Sequence, residues 1–97
     1  MLNSKQRAYL MSMASKQTAI LQVGKASLTP EIITAIDAAL EKRELIKISV
    51  LKNCIDDPRE IAEMMAERTH SQVVQVIGKK IVLFRVSGKK PVIELPK

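Results

Sequence analysis

Two short runs, Thr29-Pro30-Glu31 and Asp57-Pro58-Arg59-Glu60, constrain the fold more than any other feature of this sequence. In each run a capping side chain precedes a proline that needs no N–H group, and an acidic residue complements the helix dipole. Each run therefore predicts the start of a helix. Each also follows a stretch typical of a strand, Ile20 to Val23 before the first and Leu45 to Val50 before the second. Alternation of strands and helices favours one sheet covered by helices.

A further helix precedes these units, and apolar stripes identify the buried faces of all the helices. Asn3 and Gln6 form a capping-box pattern, so this first helix is predicted from Ser4 to Ala14, while the third is predicted to end near His70. Core packing is the simplest explanation of the stripes. Their members are Leu10, Met13 and Ala14 in the first helix, Ile32, Ile33, Ile36, Ala39 and Leu40 in the second, and Ile61, Met64 and Met65 in the third.

A β-hairpin is predicted near the end of the chain. Two β-rich runs, Gln72 to Ile77 and Lys80 to Val86, are joined by Gly78-Lys79, which is the chemistry of a type II′ turn. The segment Val92 to Leu95 lies between two prolines and is at most a short edge strand. The predicted order is α-β-α-β-α-β-β, within a single domain that spans residues 1–97.

Positive charge is concentrated in the two terminal segments. The chain has 16 Lys and Arg residues against 10 Asp and Glu residues, a net charge of +6. Residues 1–30 carry four bases and no acid, residues 31–67 five bases and nine acids, and residues 68–97 seven bases and one acid. If the terminal segments meet in space, they form a positive face backed by an acidic one, as phosphate binding requires. The alternative is that these cations are ordinary solvated surface.

Catalysis, metal binding and disulfide formation find no support in the sequence. Cys54 has no second cysteine to pair with, and no Cys and His residues have the spacing of metal ligands. His70 is the only histidine and lies near a predicted helix C-terminus, where a cation is favourable in any case. We therefore expect a protein without enzymatic activity, cofactor or metal. A cytoplasmic setting fits best, and no apolar run is long enough to span a membrane.

Two segments are candidates for binding phosphate. The turn Gly24-Lys25-Ala26-Ser27 joins a strand to a helix N-terminus, so its N–H groups and the helix dipole are predicted to face one space, with Lys25 as a mobile cation. The other candidate is the hairpin with the cations that follow it, namely Gly78-Lys79-Lys80, Arg85, Lys89 and Lys90. Turn geometry and protection of a sheet edge are the competing structural explanations. Tyr9 and Phe84 are the only aromatic residues, which disfavours modules that stack bases on a sheet.

The combination of these motifs resembles the CRM (chloroplast RNA splicing and ribosome maturation) domain family, and in particular its bacterial YhbY-type members. The resemblance covers nearly the whole chain and is more specific than any single motif. Its elements are a Gln-rich basic first helix, Val23-Gly24-Lys25, Leu28-Thr29, Leu45-Ile46-Lys47, Val74-Gln75-Val76-Ile77-Gly78-Lys79 and Val82-Leu83-Phe84-Arg85.

The resemblance implies both a fold and a binding loop. The fold is of the α/β class, an α+β two-layer arrangement with a single four-stranded mixed sheet and three helices, similar to the C-terminal domain of translation initiation factor three. RNA binding in the family centres on a G-x-x-G loop like that of KH domains, which matches Gly24, Lys25, Ala26 and Ser27. This chain departs from the pattern at Ser27, because serine tolerates a positive φ less well than glycine.

The leading functional hypothesis is a monomeric ribosome-assembly factor. Bacterial members of the family are associated with the precursor of the large ribosomal subunit, and plant relatives with group II intron splicing, so RNA is the expected partner, with ribosomal proteins as further partners. The other cations expected at the RNA surface are Lys5, Arg7, Lys47, Lys79, Lys80 and Arg85. The alternative hypothesis is an adaptor that binds a ribosomal or RNA-processing protein through the acidic middle segment.

Overall fold

The computed structural model describes residues 2–88, 91 and 93–96, and its helices and strands follow the predicted order. The three helices and four strands confirm the α-β-α-β-α-β-β arrangement. They are α1 Ser4–Ala14, β1 Leu21–Val23, α2 Pro30–Arg43, β2 Leu45–Val50, α3 Pro58–Thr69, β3 Gln72–Ile77 and β4 Lys80–Phe84.

The helix starts form as their capping chemistry predicts. Asn3 and Gln6 make a reciprocal capping box at α1, in which each side chain accepts a hydrogen bond from the backbone N–H of the other. The Thr29 hydroxyl accepts from the N–H of Ile32, and the Asp57 carboxylate accepts from the N–H of Arg59. Local side-chain chemistry therefore fixes where all three helices begin.

The strands form one mixed sheet in the order β1-β2-β4-β3. β1 is parallel to β2, whereas β4 is antiparallel to both of its neighbours. Val23 pairs with Val50, and Ser49 pairs with Lys80. The C-terminal ends of β1 and β2 therefore lie at the same end of the sheet as the β3–β4 turn, and we call this the hairpin end. The other end of the sheet, at Leu45, Gln72 and Phe84, is called the opposite end.

Helices cover both faces of the sheet, which corrects the two-layer expectation. One core cluster lies between the sheet and α2 and α3, and includes Ile48, Ile81 and Leu83. A second cluster lies against α1 and includes Val82 and Phe84. Successive strand residues point to opposite faces, so the unbroken apolar run of β4 supplies both clusters. The sheet is thus the middle of three layers.

Several boundaries and faces differ in detail from the prediction. β4 ends at Phe84 rather than Val86. The N–H of Arg85 still donates to the carbonyl of Glu44, its partner in register, but Val86 is 57% exposed. β1 begins at Leu21 rather than Ile20. The predicted inner residue Met64 is 37% exposed. The predicted Ile61 and Met65 are buried, together with Ala62 and Thr69 of the same helix.

The end of the chain is described only in part. Lys89, Lys90 and Val92 lie outside the described residues, and residues 93–96 form no strand. Ile93 and Leu95 pack instead against the α1 cluster. Within the described residues, no helix combines the length and apolarity that a membrane span requires.

Candidate functional site

The Gly24–Ser27 turn forms the connection from β1 to α2 at the hairpin end. The N–H of Ser27 donates to the carbonyl of Gly24 over 2.9 Å and closes the turn. Lys25 and Ala26 at its tip are exposed, and within the described residues their N–H groups donate to no acceptor. These two donors stand before the capped N-terminus of α2, where a helix favours negative charge. The turn therefore offers a phosphate two backbone donors beside a positive helix end.

Ser27 adopts the left-handed conformation that the resemblance assigns to glycine. Its φ is +57°, whereas Gly24 of the same turn has no positive φ. A residue with a Cβ atom pays about 1–2 kcal/mol for this conformation. Ser27 thus holds a backbone conformation that favours glycine, at a local cost in stability.

Neither the backbone conformation nor the packing within the protein requires glycine at position 24. A Cβ atom built on it would lie 3.5 Å from Leu51 Cδ1 and 3.7 Å from Asn53 Oδ1, which are ordinary contact distances. The protein itself therefore leaves room for a methyl group at this position. A requirement for glycine here would come from the close approach of a ligand.

The loop after β2 brings a further cation to this turn. The N–H of Leu51 donates to the carbonyl of Val23 over 2.8 Å, so the loop continues the parallel pairing of β1 and β2. Lys52 follows and is exposed. Sequence reasoning missed Lys52, because it lies in the acidic middle segment. Only the long-range pairing of the strands brings its neighbours Leu51 and Asn53 against Gly24.

The β3–β4 hairpin lies at the same end of the sheet. Gly78 has a φ of +55° and Lys79 has no positive φ, the sign combination of a type II′ turn. The carbonyl of Lys79 accepts from the N–H of Val50 over 2.7 Å, which ties the turn to the end of β2. Lys79 and Lys80 are both exposed. We call the Gly24–Ser27 turn together with Lys52, Lys79 and Lys80 the basic cluster.

The lysines of the basic cluster are not neutralised within the described part of the chain. There the only ion pairs join Arg85 to Asp37 and Glu41. Six acidic residues lie on α2 and α3, outside the cluster. Asp56 and Asp57 are nearer, in the loop after β2; the Asp57 carboxylate caps α3, and neither forms an ion pair with these lysines in the described part of the chain. The cluster therefore presents uncompensated positive charge to solvent.

Lys47 lies on the α1 face of the sheet, beside the basic cluster. It is half-buried on β2, and its ammonium donates to the carbonyl of Gln17 over 3.2 Å. Lys47 pairs with Val82, and Ser49 pairs with Lys80. Alternate residues of a strand share a face, so Lys80 lies on the same face as Lys47. An ammonium group has three donors, so Lys47 retains hydrogen-bonding capacity.

Arg7 does not join the basic cluster. Its guanidinium donates to the carbonyls of Val73 and Val74, over 2.7 and 2.8 Å. These carbonyls lie at the irregularity in the pairing of β3 with β4, where the ladder leaves backbone groups without strand partners. Arg7 therefore satisfies the backbone of a bulge. Lys5 is exposed in the first turn of α1, which begins beside Gln72 at the opposite end.

Arg85 is also removed from the basic cluster. It follows β4 at the opposite end, and its guanidinium is paired with Asp37 and Glu41 of α2 and donates to the carbonyl of Thr69. The two carboxylates largely compensate its charge, and its contacts join α2 and α3 to the end of the sheet. The structure thus gathers six of the ten predicted residues in the basic cluster, with Lys47 beside it, and leaves Lys5, Arg7 and Arg85 elsewhere.

The two residues weighed for catalysis are far apart in the fold. Cys54 is buried in the loop after β2 at the hairpin end, whereas His70 is exposed beside the start of β3 at the opposite end. Across the residues that the structure describes, no three His, Cys, Asp or Glu side chains are grouped to hold a metal ion. The described arrangement offers binding donors rather than a reacting pair.

Comparison with known proteins identifies relatives over the full length. The family model described as CRS1 / YhbY (CRM) domain matches residues 2–85. The probable RNA-binding protein YqeI of Bacillus subtilis (strain 168) is 47% identical over 99% of this chain and 100% of that protein. An RNA-binding protein of Haemophilus influenzae is 30% identical over 99% of this chain and 96% of its own.

A solved structure has the same fold. The solution structure of the hypothetical protein SAV1595 from Staphylococcus aureus superposes with a TM-score of 0.82 at 48% identity. The match covers 99% of this chain and 100% of that one.

Proposed function

Because the chain belongs to the CRS1 / YhbY (CRM) domain family, we propose that it is an RNA-binding domain that holds structured RNA against the basic cluster. The observation that carries this proposal is the arrangement at one end of the sheet. There the open Gly24–Ser27 turn lies at the same end as three exposed lysines, one in the loop after β2 and two at the β3–β4 hairpin, namely Lys52, Lys79 and Lys80. The names of the relatives from B. subtilis and H. influenzae support RNA as the ligand.

Binding would proceed through phosphate groups. One backbone phosphate accepts hydrogen bonds from the N–H groups of Lys25 and Ala26, and the N-terminus of α2 adds its dipole. Lys52, Lys79 and Lys80 contact neighbouring phosphates as point charges. Backbone donors and lysines read the sugar-phosphate chain rather than base edges, so the preference for sequence is slight and the preference for shape dominates.

The proposed target is RNA of a maturing large ribosomal subunit. This proposed target rests on the resemblance to bacterial YhbY-type members. The protein would then act in the cytoplasm as a monomer without catalytic activity. Sedimentation of cell lysate on a sucrose gradient tests it. Comigration with free or precursor large subunits at low salt, lost at high salt, is expected, whereas residence only in the ribosome-free fractions would exclude this target.

The experiment for RNA binding itself compares two charge-matched triple variants. The cluster variant carries Lys25→Gln, Lys79→Gln and Lys80→Gln, and the control carries Lys5→Gln, Lys42→Gln and Arg68→Gln at exposed positions outside the cluster. Affinity for a structured RNA is measured by fluorescence anisotropy across a salt series. The logarithmic salt slope should fall by roughly one per lost phosphate contact in the cluster variant. Equal slopes in the two variants would contradict the proposal.

A second candidate function is supported by the surface of α3. Glu60, Glu63 and Glu67 are exposed on this helix, around the partly exposed Met64. Such a surface fits an adaptor that binds a basic ribosomal or RNA-processing protein. Retention of a protein partner after ribonuclease treatment, lost on reversing the charge of Glu63 and Glu67, would favour the adaptor.

A further inference from the structure

Helix α1 covers only part of its face of the sheet. Its buried side chains pack over the strands near the opposite end, with Leu45, Val74 and Phe84 beneath them. Towards the hairpin end the same face is open, and Ile77 on β3 is 59% exposed there. A sheet face is stable in water when it is covered or polar, so an exposed isoleucine on this face marks a surface that no described part of the chain covers.

A cavity of about 280 Å³ occupies this open part of the face, beside the C-terminal end of α1. Its floor is apolar and includes Ile77 and Val82, whereas Lys47, Gln75 and Lys80 supply polar groups around it. Its size is near the lower limit of about 300 Å³ for small-molecule sites, so one small planar group fits it better than an extended ligand.

The polar groups at the cavity remain available to a ligand. The ammonium of Lys47 donates to the carbonyl of Gln17 and that of Lys80 to the hydroxyl of Ser49, which leaves each lysine further donors. Neither lysine forms an ion pair in the described part of the chain, and there the amide of Gln75 has no hydrogen-bond partner. An amide supplies both donor and acceptor groups, as the edge of a nucleobase requires.

The cavity is continuous with the proposed RNA surface. Lys80 belongs both to the basic cluster and to the cavity, and its strand neighbour Ile77 forms the floor. RNA held by phosphate contacts at the hairpin end therefore passes the mouth of the cavity. An unpaired nucleotide at that point can place its base on the apolar floor, with its phosphate near the lysines.

We infer that this cavity is a second RNA site, which accepts one unpaired nucleotide turned out of a structured RNA. The inference rests on the proposed function and deepens it, because it predicts which RNA shape the protein prefers. Apolar contact and the Gln75 amide bind the base, and Lys47 and Lys80 bind its phosphate. Because the cavity has no aromatic residue, its preference is weaker than that of aromatic stacking sites.

The test compares two RNA hairpins that differ by one nucleotide. One has a fully paired stem, and the other has the same stem with a single bulged uridine. The native protein should bind the bulged hairpin several-fold and up to about tenfold more tightly. Ile77→Ser and, separately, Gln75→Leu should abolish this preference. Val86→Ser is the matched control, because Val86 is 57% exposed and lies outside the cavity, and it should keep the preference.

Crosslinking locates the bulged nucleotide without relying on any variant. With 4-thiouridine at the bulge, the crosslink should map to the peptide from Thr69 to Lys79 released by trypsin, which contains Gln75 and Ile77. Equal binding of the two hairpins, or crosslinks only to the Gly24–Ser27 turn, would contradict the inference that the cavity binds a nucleotide. The proposed function would still stand. Failure to bind either hairpin would overturn both.

Discussion

Positive residues lie at both ends of the sheet, but only those at the opposite end are paired with other groups of the protein. At the hairpin end, Lys25, Lys52, Lys79 and Lys80 extend into solvent without acidic partners in the described structure. At the opposite end, Arg7 and Arg85 are engaged by backbone carbonyls and carboxylates of the protein itself. The difference teaches that a cation marks a binding surface only where the fold gives it no other partner.

Acidic residues explain why the opposite end is a structural region. Glu44 is fully buried with a φ of +65°, and its carboxylate accepts hydrogen bonds from the N–H groups of Ser87 and Ile93, each over 2.6 Å. Glu41 accepts from the N–H of Gly88. These two glutamates attach the segment after β4 to the end of α2. The hairpin end has no comparable network among the described residues, which leaves its donors for a ligand.

The largest expected effect of a single substitution is on stability at the opposite end. Glu44→Gln replaces a carboxylate that accepts two backbone hydrogen bonds with an amide whose NH₂ group faces one of the donors. Loss of charge-assisted bonds at a buried site should cost about 2–3 kcal/mol in the free energy of unfolding. Urea denaturation measures this cost, and a loss below about 0.5 kcal/mol would show that the network does not stabilise the tail.

Arg7→Met tests whether a cation at the opposite end contributes to stability and not to RNA binding. The substitution keeps much of the side-chain length but removes both donors to Val73 and Val74, so the free energy of unfolding should fall by about 1–3 kcal/mol. RNA affinity of the folded protein should stay within about twofold of the native value. Lys25→Gln is its counterpart, with reduced RNA affinity and unchanged stability. An RNA defect in Arg7→Met equal to that of Lys25→Gln would remove the distinction between the two ends.

Ser27→Gly tests the strain in the turn. Glycine adopts the φ of +57° without the penalty that serine pays, although it also makes the unfolded chain more mobile. The net expectation is a gain in stability of about 1 kcal/mol or less, detectable as a higher midpoint in thermal unfolding. A clear loss of stability would mean that the serine hydroxyl contributes more than its backbone costs.

Gly24→Ala should have the smallest effect on stability and a clear effect on binding. A methyl group meets only ordinary contacts with Leu51 and Asn53, so unfolding should change by no more than about 0.5 kcal/mol. RNA that approaches the turn closely would meet the methyl group, and its affinity should fall by several-fold. Unchanged RNA affinity in this variant would place the RNA away from the turn.

The sequence was a good guide wherever local chemistry decides. The caps at Asn3, Thr29 and Asp57 and the glycine of the hairpin determine their elements with side chains a few residues away, and these predictions are confirmed. The strand order and the cover of both faces by helices depend on long-range packing. The expected two layers therefore required correction.

The candidate site was harder to predict from the sequence. Which cations remain available to a ligand depends on the carbonyl and carboxylate groups that the folded chain places next to them. Arg7 and Arg85 have the same chemistry as the exposed cations, and only the folded chain supplies the carbonyls and carboxylates that engage them. Lys52 shows the reverse, since its segment is acidic on average while parallel pairing brings its neighbours Leu51 and Asn53 against Gly24. Segment charge therefore does not tell which cations the fold leaves without a partner.

Chemical-shift mapping of the uniformly ¹⁵N-labelled protein during titration with a structured RNA tests the central claim most directly. We predict the largest changes at the backbone amides of Lys25 and Ala26, with further changes at Lys52 and Lys79, and small changes at the Arg7 and Arg85 side-chain Nε signals. Large changes at those arginine signals, with the Gly24–Ser27 turn unaffected, would contradict the assignment of RNA binding to the hairpin end.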